Sequence, residues 1–263
     1  MISERTSQRV FLGIAALLFA VSAAVTIAWC ASMSATGAMP MPGGWTMSMA
    51  WMRMPGQTWP GAAASFLAMW IVMMVAMMLP SLMPMLWRYR QAVGRPGGMR
   101  LGRLTALVGV GYFLVWTLFG MAAYPLGVAL AAIAMRQPAL ARAVPIATGV
   151  VVLIAGALQF SAWKARTLAC CRQAAGRDRT LPADAGTALR HGVRLGLDCG
   201  PCCANLMAIL LVIGVMDLGA MAAVTAVITL ERLARNGERA VRIIGAAAIG
   251  AGLILIARAA GLG

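Results

Sequence analysis

Apolar residues in this chain come in long, nearly unbroken runs, without the strict alternation of a half-buried strand. Seven runs stand out, at about 10–32, 63–87, 105–134, 142–163, 196–216, 218–233 and 242–260. Crossing the hydrocarbon of a bilayer takes about 20 apolar residues, and several runs have that length. The pattern predicts an all-α fold: one polytopic transmembrane helix bundle of about seven spans over residues 1–263, with no separate soluble domain. The fifth and sixth runs are joined by a tight connection near Asp217, Leu218 and Gly219. The apolar stretch from Val10 to Trp29 exceeds the roughly 7–15 residues of a signal-peptide core, so it is read as an uncleaved first helix.

Charge gives this pattern a direction. The net charge is +15 with 22 Lys and Arg, a balance that in a soluble protein would point to nucleic acid. Here 18 of the 22 fall before the first run, or after the second, fourth and sixth. Only Arg53, Arg136, Arg142 and Arg258 fall elsewhere. That is the positive-inside asymmetry of a membrane protein. It predicts the N-terminus inside, the C-terminus outside, and no nucleic-acid partner. Two long connections remain: an outer loop 33–62, rich in Met, Pro and Gly, and a basic inner loop 164–195.

Methionine, used 21 times, is the first candidate chemistry. The outer loop carries the pairs Met39/Met41, Met47/Met49 and Met52/Met54. Thioethers are soft, uncharged ligands that select Cu(I); the competing reading is an interfacial loop anchored by Trp45, Trp51 and Trp59. In the second run Met69, Met73 and Met77 make one stripe at i, i+4 spacing, and Met74 with Met78 an adjacent one. Either the stripes line a metal path or they fill a packed core, a common use of Met. Pro80 and Pro84 are expected to kink the inner end of that helix.

Cysteine is the second. Cys199-Gly200-Pro201-Cys202-Cys203 places three thiols in five residues at the mouth of the fifth run. On a helix they share a face. With Asp198 as N-cap and Pro201 in the first turn, a helix N-terminus would favour the thiolate form. Cys170 and Cys171, in the preceding inner loop, are further candidate ligands. His191 reads as solvated and Cys30 as packing. Gln159 is polar within the fourth run and needs a hydrogen-bond partner. Glu231 and Arg232 read as an interfacial pair.

Three segments together carry a resemblance. The run from Met69 to Ser81, the stretch Gln159–Arg172 with Trp163-Lys164 and Cys171-Arg172, and Cys199 to Cys203 followed by Leu206-Met207 and Gly214-Val215-Met216 are similar to an uncharacterised bacterial family described as predicted metal-binding integral membrane proteins. The similarity covers roughly residues 60–245. It implies metal binding. Two positions depart from the family pattern: Leu195 stands where a His precedes the Gly, and Thr167 where a Cys follows the Lys.

The first functional reading is therefore a multi-pass protein of the bacterial inner membrane that binds and translocates or delivers a soft metal ion, most simply Cu(I). Its metal ligands are Cys199, Cys202, Cys203, Cys170, Cys171, Met69, Met73, Met77, Met74 and Met78. Membrane lipid, the metal ion, and a metallochaperone or cuproenzyme assembly factor are its partners. The second reading is an enzyme, a thiol–disulfide oxidoreductase with Cys199 attacking and Cys202 resolving. The third is a structural or assembly protein in which Met and Cys only pack.

Overall fold

The computed structural model describes residues 2–35, 37, 39–54, 56–93, 97–174, 181–234 and 237–261; for 2–5, 34–35 and 173–174 it gives the backbone alone. Arg95, Arg177, Arg179 and Arg235, and the side chain of Arg5, which entered the charge argument, lie outside this description.

Eight helices form among the described residues: α1 (Ile2–Ala35), α2 (Trp59–Ala92), α3 (Gly98–Arg136), α4 (Pro138–Leu158), α5 (Ala162–Ala174), α6 (Ala185–Ile213), α7 (Leu218–Leu233) and α8 (Gly237–Ala259). The chain is an all-α bundle. Six helices (α1, α2, α3, α4, α6 and α8) are long and apolar enough to cross a membrane. The sixth expected span is helical as α7, but its 16 residues reach only about 24 Å at about 1.5 Å per residue. That falls short of a hydrocarbon core of about 30 Å.

Two connections differ from expectation. The stretch 164–195, read as a loop, is mostly helix, because α5 fills its first part and α6 begins at Ala185. The cap of α6 is accordingly Asp184, which accepts from Thr187 N at 2.8 Å. Asp198 lies thirteen residues inside the helix, so the thiols at 199–203 are mid-helix and gain nothing from a helix N-terminus. Pro201 is likewise in the interior. The outer loop holds a short hairpin, β1 (Met39–Met41) against β2 (Trp45–Met47), pairing Met39 with Met47. Met47 is buried against Ala131 and Ala134 of α3, and Trp45 Nε1 donates to Ala141 O.

Helix α2 starts at the Thr58 cap, which accepts from Gly61 N, and continues through Pro80 and Pro84 to Ala92. Ser81 Oγ donates to Met78 O there. Small residues let the helices approach closely backbone to backbone. The α3–α6 seam shows this. A Cβ on Gly192 would lie 2.1 Å from Val108 O, and one on Gly111 2.5 Å from Leu189 O. Further along, Gly196 meets Val115 and Gly200 meets Phe119. Numbers rise together on both helices, so α3 and α6 run parallel. A similar seam joins α4 to α8 through Gly149, Gly156, Gly245 and Gly252.

α3 therefore fixes a common depth. On one side its Trp116 O accepts from Trp70 Nε1 of α2 at 2.8 Å; on the other its Phe119 meets Gly200 of α6. The methionines following Trp70 on α2 and the cysteines flanking Gly200 on α6 belong to one buried core cluster. α2 packs on α3 and α7, and α6 packs on the same two helices. α2 and α6 stand across the ring from one another.

Candidate metal centre

The thiols gather in the interior of that ring. Cys199, Cys202 and Cys203 of α6 are 0%, 1% and 1% exposed. The i, i+4 spacing brings Cys199 Sγ to 3.7 Å from Cys203 Sγ. Cys202 lies beside Cys203 in turn, and beside Cys171 of α5. The result is a chain of four sulfurs spanning two helices. Its hydrogen bond to Cys202, together with burial, pushes the Cys171 thiol up.

Of the cysteines singled out in the sequence, Cys171, Cys199, Cys202 and Cys203 come together. Cys170 does not join them; its Sγ lies 3.9 Å from Asp198 Oδ1. Met69, Met73, Met74, Met77 and Met78 are all buried and belong to the same core cluster as the four thiols. Cys30 is elsewhere, directed at Met216 Sδ at 3.8 Å. His191 lies within α6 and stacks on Tyr89.

The sulfur chain is held at both ends. Tyr112 of α3 donates its O–H to Cys199 Sγ at 3.0 Å. Arg232 of α7 donates from Nη2 to Cys171 Sγ at 2.9 Å and from Nη1 to Ser81 Oγ at 3.1 Å. Beside Cys202 lies a buried ionic network. Lys164 Nζ donates to Cys202 O at 2.8 Å and to Asn205 Oδ1 at 3.3 Å. It also pairs with Glu231 Oε2 at 2.7 Å. Gln159 Nε2 donates to Glu231 Oε1 at 2.7 Å, which gives Gln159 the partner its position demanded.

Glu231 and Arg232 are thus not an interfacial pair. Both are buried, and consecutive helical positions turn them to different neighbours, Glu231 to Lys164 and Arg232 to Cys171. Sequence reasoning also missed Tyr112 and Asn205. Lys164 and Glu231 take their meaning from burial, because ionisable residues buried within a helical bundle are costly and usually functional, and that burial appears only once the helices are packed. Tyr112 carried no signal in the sequence.

At a metal–thiolate bond of about 2.3 Å, sulfurs 3.7 Å apart subtend close to a tetrahedral angle. Cys199 and Cys203 are therefore a ready bidentate pair. Among the described residues, no three His, Cys, Asp or Glu side chains stand as a finished metal shell. A third donor must come from a small sulfur movement or from a thioether.

The sequence model of the PpoB2 copper chaperone family matches residues 67–255, well over half the chain. The chain belongs to the PpoB2 copper chaperone family. Nothing matches it among curated proteins or among solved structures. Membership gives the chain a copper-related role. The matched region contains α3 to α7 whole, with all of the methionine stripe on α2.

Proposed function

We propose that the chain holds Cu(I) within the bacterial inner membrane and delivers it to an acceptor protein. Cys199 and Cys203 are the primary ligands. Cys202 and Cys171 extend the thiol path, and the facing thioethers of Met73, Met74, Met77 and Met78 exchange with it. Cys170 stands beside the path without entering it. The observation that carries this reading is the 3.7 Å separation of Cys199 and Cys203 sulfurs, in the core cluster that also holds the methionine stripe. Thiolate and thioether donors select Cu(I). One Cu(I) on two thiolates leaves a single negative charge, and Arg232 lies against the sulfur chain to offset it.

Transport follows as an extension of the same proposal. The pairs Met39/Met41, Met47/Met49 and Met52/Met54 collect the ion at one end of the bundle. The stripe beginning at Met69 leads it to the thiols. Rising ligand strength along that route biases movement toward the basic, cytoplasmic end.

Burial weighs against the oxidoreductase reading. Exchange requires a thiolate to reach a partner's disulfide sulfur, and no sulfur of Cys199, Cys202 or Cys203 is open to one. The close pair is also Cys199 with Cys203, whereas a Cys-x-x-Cys mechanism needs Cys199 with Cys202.

The test is anaerobic Cu(I) loading of the reduced, detergent-purified chain beside Cys199→Ser/Cys202→Ser/Cys203→Ser. Stoichiometric copper in the native chain, lost in the triple variant, is expected. Met74→Leu and Met78→Leu keep volume and cost under about 1.5 kcal/mol, so reduced affinity in them isolates the thioethers. No copper in the native chain, with titratable thiols intact, sinks the proposal.

A further inference from the structure

At the end of the bundle where the basic residues collect, a cavity of about 190 Å³ opens between α2, α5 and α7. Arg88, Arg172 and Arg232 line it, with Ser81, Met85 and Leu233. No Asp or Glu is among its lining residues. Glu231, the chain neighbour of Arg232, is held by Lys164 and Gln159.

The guanidinium groups are left short of acceptors. Arg232 is only 8% exposed. Its two terminal nitrogens meet neutral partners, Ser81 Oγ and Cys171 Sγ, and its Nε is buried without one. Arg172 repeats this: Nη2 donates to the carbonyls of Glu231 and Ala234, and Nε is buried and unpartnered. A buried cation without a counter-charge is costly.

We propose that Arg88, Arg172 and Arg232 form an anion site for a phosphate group, the chemistry shared by inorganic phosphate and the headgroup of an acidic phospholipid. Guanidinium forks match phosphate oxygens geometrically. Three of them around one cavity, with no acid in its wall, suit a phosphate anion. The apolar side of the cavity, from Met85 to Leu233, gives a glycerol backbone a surface to lie on. Basic pockets between membrane helices are the usual seat of such headgroups. The site stands independently of the copper reading, and Arg232 places it one residue from Cys171.

The experiment uses the full chain, purified in detergent, stripped of lipid and free of copper. One arm titrates inorganic phosphate by calorimetry. The other presents mixed micelles of phosphatidylglycerol and phosphatidylcholine and reads retained lipid by native mass spectrometry. One bound phosphate, or selective retention of phosphatidylglycerol, is expected; whichever arm responds identifies the source. Arg88→Gln, at an exposed position, and Arg172→Gln should each weaken the interaction roughly tenfold. An unchanged melting curve for Arg88→Gln shows that its fold is intact. Absence of both interactions, or binding unchanged in both variants, overturns the proposal.

Discussion

Lys164 Nζ stands 2.7 Å from Glu231 Oε2, and neither side chain is more than 2% exposed. A pair so placed is costly to break one-sidedly, because the survivor is a buried, uncompensated charge. Lys164→Met or Glu231→Gln alone should cost about 3–5 kcal/mol. Lys164→Met with Glu231→Leu should recover most of that loss. Unfolding of the four proteins in one detergent checks this. Single variants as stable as the native chain would show that the pair is solvated.

The α3–α6 seam leaves no room at Gly192, where an added Cβ would meet Val108 O at 2.1 Å. Gly192→Ala should destabilise by about 1–3 kcal/mol through overpacking. Gly109 on α3 has nothing within 4 Å, so Gly109→Ala should be neutral or gain about 0.5–1 kcal/mol. Opposite signs in paired thermal melts are the expected result.

Tyr112 is buried, and its hydroxyl reaches the site only through Cys199. Tyr112→Phe keeps the ring and removes the donor. If Cys199 holds copper, affinity should fall roughly 10–100-fold, as for other groups that orient ligands, with little change in melting temperature. Competition against a colorimetric Cu(I) chelator under reducing conditions measures it. Equal affinity in both proteins would remove Tyr112 from the site.

Asp184 is exposed, and its hydrogen bonds from Thr187 hold its carboxyl below the usual range. A group lowered on folding stabilises above its unfolded pKa and loses that contribution as pH falls through its folded value. The first turn of α6 should therefore fray on acidification below about pH 4, near the reference carboxyl value. Hydrogen exchange at Thr187 and its neighbours reports the fraying. Asp184→Asn should cap the helix without the acid sensitivity.

The helices were readable because each long apolar run is a bundle element, and the methionine stripe because i, i+4 spacing survives any packing partner. The beginning of α6 was not readable. Its inward positions are Ala188, Gly192 and Gly196, small because α3 lies against them, and the outward ones include Arg190 and Arg194. A seam built from small residues has low hydropathy and passes for a loop. α5 hid for a related reason: its buried Lys164 looks like a loop cation until Glu231, far along the chain, is seen beside it. No local pattern contains such a pair.

The sulfurs at Cys199, Cys202 and Cys203 are enclosed on every side by helices. Oxidants and alkylating reagents reach them only when the helices part, and the rate of their capture is the rate of that parting. A maleimide time course on the resting protein thus reports how often the bundle opens, measured with no cargo present.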